Sequence, residues 1–79
     1  MVTPESVKAG IAAGLACEHL EVEGDGQHFQ ALIVSAAFAG KSRVQRHQLV
    51  YAALGDRMRE EIHALSMRTL TPAEWKSGG

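Results

Sequence analysis

Val7, Ile11 and Leu15 recur at four-residue intervals near the start of the chain and form one apolar stripe, the pattern of an amphipathic helix. Thr3, Pro4 and Glu5 make its start: a hydroxyl N-cap, a proline at the first helical position and an acid in the first turn. The helix is predicted to reach about Leu15. Gly10 and Gly14 each weaken it by about 1 kcal/mol relative to alanine, unless close packing needs them small.

The period then changes from four to two. Leu20 and Val22 alternate with His19, Glu21 and Glu23, which predicts a short half-buried strand. Gly24-Asp25-Gly26 is a turn. Beyond it Phe29, Ala31 and Ile33 face one way while His28, Gln30 and Leu32 face the other, so the two runs make a β-hairpin. Whether Val34 to Phe38 continues the second strand or ends it is left open by the pattern. Ala39-Gly40-Lys41-Ser42 breaks it, and Ser42 caps a second helix beginning at Arg43.

In that second helix Val44, Tyr51 and Leu54 are expected on one buried stripe, with Gln45 and Gln48 outward. Gly55-Asp56 interrupts it, and Met58 to Glu61 is read as a short further helical segment set at an angle. Ile62 to Thr69 returns to period two, with His63, Leu65 and Met67 against Ala64, Ser66 and Arg68, which predicts a third strand. Thr71-Pro72-Ala73-Glu74 repeats the Thr-Pro helix start as a capping box, and Trp75 is expected to anchor this last turn to the body. The order α-β-β-α-α-β-α predicts an α+β fold in two layers, a three-stranded sheet with helices on one face.

Composition narrows this reading. The 79 residues give room for one domain, residues 1–79, with Lys76 to Gly79 as a loose tail. The longest apolar run, Ala31 to Val34, is far short of the roughly 20 residues a membrane helix needs. Met1 to Glu5 lacks the basic region and apolar stretch of a secretory signal, and the single cysteine, Cys17, allows no internal disulfide. A cytoplasmic location is the expectation. At a formal charge of −1, the chain attracts nucleic acid only through a local basic patch. No nucleophile has an evident base, no carboxylate pair frames a cleft and no glycine loop is built for phosphate, so an enzyme is not expected.

The stretch Phe38-Ala39-Gly40-Lys41-Ser42-Arg43-Val44-Gln45-Arg46-His47-Gln48-Leu49-Val50-Tyr51 resembles the BolA family. That family shows a Phe-x-Gly, then Ser-Arg-Val, then a basic pair before an apolar-aromatic step. Gly24 to Phe29 is similar to the hairpin turn of its histidine-loop, acid-stress-type members. Ile62 to Ser66 followed by Leu70 to Trp75 is similar to its closing strand and terminal helix. The resemblance implies the fold of a type II KH domain. The nucleotide clamp of a true KH domain needs a Gly-x-x-Gly loop between the middle helices, whereas Ala53-Leu54-Gly55-Asp56 offers one glycine.

What the resemblance implies about chemistry centres on His28 and His63. The matching histidines of BolA proteins help bind a [2Fe–2S] cluster shared with a monothiol glutaredoxin and its glutathione, whose thiolates complete the four ligands. Neutral imidazole is a suitable iron ligand, and mixed Cys/His ligation raises a cluster's potential. Spacing alone does not mark the pair: 35 positions separate them, and two polar residues at strand ends is the plain alternative. Cys17 precedes the first strand, outside the hairpin turn, and reads as a small buried residue at a helix–strand joint. His47 falls on the apolar stripe and reads as a partly buried side chain. Lys41, Arg43 and Arg46 form a basic patch suited to an acidic partner, glutathione or DNA phosphate, or simply a solvated face.

Two functions follow from this resemblance. One is an adaptor in iron–sulfur trafficking or iron regulation. The other is a DNA-binding transcriptional regulator working through middle helices that resemble a helix-turn-helix. A homodimer formed through the hairpin edge is a further possibility.

Overall fold

The computed structural model describes residues 2–61 and 64–78, with the backbone alone over 56–61. Helix α1 spans Pro4–Gly14, and strands β1 (His19–Gly24) and β2 (His28–Val34) form the hairpin. A single 3-10 turn, Ala36–Phe38, leads to α2 (Arg43–Glu61), followed by β3 (Ala64–Leu70) and the short α3 (Pro72–Lys76). Every expected element is present in the expected order.

The caps explain where the helices begin. Thr3 Oγ1 accepts the Ser6 amide at 3.1 Å, and Ser6 Oγ accepts the Thr3 amide at 2.9 Å. Ser42 and Gln45 repeat this reciprocal arrangement at α2, and Thr71 and Glu74 repeat it at α3. Gly55 breaks α2 from within. Its φ of 78° and ψ of 166° lie where a side chain is strongly disfavoured, and the helix resumes beyond it in a new direction, as the sequence suggested.

The sheet order is β1-β2-β3, antiparallel between the first two and parallel between the last two. Register puts Leu20 beside Ile33 and Val22 beside Ala31, with Leu65 beside Phe29 and Met67 beside Ala31 on the same face. That face meets Val7, Ile11 and Leu15 of the first helical stripe and Val50 and Leu54 of α2, and together they form the core with Phe38. β2 ends at Val34, where Ser35 turns its buried hydroxyl to the Ala16 carbonyl at 2.7 Å and accepts the Ala37 amide.

One expectation is corrected. Val44 is 66% exposed, outside the buried stripe. Four-residue steps back from Leu54 pass through Val50 to Arg46, and Val44 sits about 120° around the helix from the middle of that line. At the C-terminal end, α3 runs through Lys76, the Ser77 amide and hydroxyl both bond the Ala73 carbonyl, and the Gly78 amide bonds that of Trp75. Trp75 does anchor α3, but by an exposed stack on the His19 ring, with centroids 4.9 Å apart and planes inclined 19°.

Candidate functional site

The hairpin turn positions His28. Asp25 Oδ1 accepts the backbone amides of both Gln27 and His28 at 2.9 Å, which shapes the turn and fixes the first residue of β2. These bonds, led by the one from His28, hold the Asp25 carboxyl below its ordinary pKa. The imidazole itself is exposed, and its Nδ1 lies 3.8 Å from Asp25 Oδ2. This distance is too long for a hydrogen bond but close enough for the carboxylate to act on the ring electrostatically.

His63 lies outside the described residues. Its chain neighbour Ala64 is described, and the parallel register pairs Ala64 with His28. The starts of β2 and β3, at His28 and Ala64, therefore lie side by side at one end of the sheet.

Cys17 is half-buried against the core, its thiol donates to the Leu15 carbonyl at 3.3 Å, and burial pushes its pKa up. It is a packed joint residue, as its place in the sequence suggested. His47 is half-buried, and it lines a groove between the start of α2 and β3.

That groove, of about 660 Å³, gathers Lys41, Arg43, Arg46 and Arg68 around Met67, Thr69 and Glu74. Arg46, expected as a contact residue, is turned inward by its place on the Val50–Leu54 line. Its Nη1 donates to Glu74 Oε1 at 2.8 Å and to the Thr69 carbonyl at 3.0 Å, and its Nε donates to the Lys41 carbonyl at 3.0 Å. The guanidinium also lies 5.9 Å from the Phe38 ring centroid. It builds the wall of the groove, and the outward cations are Lys41, Arg43 and Arg68. Arg68 was missed because it entered the sequence reading as the polar half of a strand alternation. Only the β3–α2 packing brings it beside Lys41.

The chain as a whole is similar to known proteins. A family model described as BolA-like protein matches residues 4–74. The chain belongs to the BolA-like family. Protein BOLA2 of Arabidopsis thaliana is 44% identical over 81 residues, covering 96% of this chain and 86% of its own. The acid stress protein IbaG of Escherichia coli K12 is 39% identical over 70 residues, covering 87% and 83%. Among solved structures, a bolA homologue from Coxiella burnetii superposes with a TM-score of 0.84 at 44% identity, covering 96% of this chain and 99% of that one. The α+β architecture of this BolA-like chain is thus that of its structural relatives.

No helix among the described residues is long and apolar enough to cross a membrane.

Proposed function

We propose that this BolA-like chain is an adaptor that binds a monothiol glutaredoxin and supplies His28 and His63 as ligands to a [2Fe–2S] cluster held between the two proteins, in iron–sulfur trafficking or iron regulation. The observation that supports the reading is the register of His28 with Ala64, the residue that follows His63 in sequence. The donor chemistry fits. His28 presents an exposed imidazole, and neutral imidazole is a suitable ligand for iron. The remaining two ligands in this reading, a glutaredoxin cysteine and its bound glutathione, are those the BolA resemblance implies.

Mixing the protein with cluster-loaded glutaredoxin and following visible absorption and circular dichroism tests this. A shift with the wild type that is lost with His63→Ala and weakened with His28→Ala is expected. An unchanged spectrum, or an equal shift from the His63→Ala variant, overturns the ligand assignment.

The second reading is a DNA-binding regulator. A Haemophilus influenzae relative, 42% identical over 59 residues and matched over 57% of its length, is named DNA-binding transcriptional regulator BolA. The outward cations Lys41, Arg43 and Arg68 favour this alternative. Specific binding of duplex DNA at physiological salt, abolished by replacing those three with alanine, would raise it above the first.

A further inference from the structure

Among the described residues β3 pairs with β2 alone, so its other edge has no strand partner. The orientation of that edge can be derived. The Ser35 amide donates to the Leu70 carbonyl, so the backbone groups of Leu70 point toward β2. By the alternation of a parallel ladder those of Arg68, Ser66 and Ala64 do as well, and those of Leu65, Met67 and Thr69 point the opposite way. The Arg46 guanidinium bonded to the Thr69 carbonyl from the α2 side confirms this assignment independently. The outward groups of Met67 face the groove, and Arg46 closes its Thr69 end.

The charge around this edge is one-sided. The acid in the groove lining is Glu74, which is occupied by Arg46, while Lys41, Arg43 and Arg68 make no ion pair among the described residues. These cations flank the edge on both sides. Lys41 and Arg43 stand at the start of α2, on the helical face of the sheet. Arg68 belongs to the opposite row of β3, beside Leu32 in register.

We propose that the open edge of β3 binds an extended acidic segment of a partner protein as a fourth strand. A peptide supplies alternating donors and acceptors that match the outward N–H and C=O groups of Leu65 and Met67. Its side chains alternate between the two faces, so acids at neighbouring positions meet Arg68 on one side and Lys41 and Arg43 on the other. A nucleic-acid strand suits the edge less well. Its phosphates only accept hydrogen bonds and would leave the outward carbonyls unpaired, and the lining has no Phe, Tyr or Trp on which a base would stack. The proposal does not depend on the cluster reading, since it concerns the chain without any metal.

The test is a titration of the isotope-labelled full chain with capped heptapeptides in which Asp or Glu alternates with Val or Thr, followed by amide chemical shifts and hydrogen exchange. Saturable shifts and slowed exchange at Leu65 and Met67 are expected. Methylating alternate peptide nitrogens, or introducing Lys41→Glu with Arg68→Glu into the protein, should each weaken binding at least about tenfold. The circular dichroism and melting of that variant should match the wild type. Absence of saturable binding, or equal binding of the methylated peptide, overturns the proposal. So does an eight-nucleotide oligothymidine that binds the same edge more tightly, which would make the groove a nucleic-acid surface.

Discussion

Arg46 joins α2 to Glu74 on α3, with Nη1 2.8 Å from Oε1, and the same nitrogen reaches the Thr69 carbonyl at the end of β3. One mostly buried guanidinium therefore ties three consecutive elements of the C-terminal half. Arg46→Ala removes the donor from the Thr69 carbonyl and the partner from Glu74, and is expected to cost about 1–3 kcal/mol. Arg46→Lys keeps the charge but loses the planar fork that serves several acceptors at once, so it should recover only a part. In urea unfolding both variants should lower the midpoint while leaving the slope unchanged.

The same pair sets a pH dependence. Hydrogen bonding from Arg46, and then from the Thr71 amide, holds the Glu74 carboxyl below its ordinary range. In the unfolded chain it returns to about 4.3, so between the two values the unfolded state binds more protons. The stability this provides is fully present above the unfolded value and is lost as pH falls through the lowered folded value. Glu74→Gln should be less stable than the wild type at neutral pH, and the difference should narrow as pH drops through the carboxylate range. A gap that stays constant across an acid series of urea midpoints would contradict this.

The elements were legible because each had a local cause: caps at Thr3, Ser42 and Thr71, period-two runs around Leu20, Phe29 and Leu65, and a break at Gly55. What escaped depended on phase or on contacts distant in sequence. Val44 shares helical spacing with Tyr51 and Leu54, yet the four-residue line through Val50 and Leu54 leads to Arg46. A charged residue on that line gives no hydrophobic signal. The stack of His19 on Trp75 joins residues 56 positions apart. The His28–Ala64 register and the Lys41–Arg68 groove likewise exist only once β3 lies parallel to β2. The resemblance to BolA proteins named His28 without that geometry, while the chemistry of spacing alone did not.

Gly14 marks a close approach of α1 and α2. A Cβ built there would lie 2.7 Å from the Ala53 Cα and 2.9 Å from its Cβ, with the Ala53 backbone unable to yield without moving the helix. Alanine ordinarily favours a helix by about 1 kcal/mol over glycine. At this site overpacking of about 1–3 kcal/mol should outweigh that gain. Gly14→Ala is expected to lower the melting temperature, and adding Ala53→Gly should recover little of the loss, because the nearest contact is the Ala53 Cα, which that change leaves in place. An unchanged or raised melting temperature for Gly14→Ala would show that the two helices can move apart at little cost.

The stack of Trp75 on His19 should be measurable on its own, since the chain has one tryptophan. Replacing His19 by alanine removes the ring and the His19–Glu21 contact at 2.7 Å, and leaves the indole more exposed. A ring pair of this kind contributes about 0.5–1.5 kcal/mol, so the fold should persist while α3 loosens. The expected signs are a red-shifted tryptophan emission and faster amide exchange at Trp75 and Ser77, whose amides bond the Thr71 and Ala73 carbonyls. Exchange should change little at Ile33 and Val50, which are fully buried in the body of the protein. Equal loosening at both places would mean that His19 supports the whole sheet and not the docking of α3.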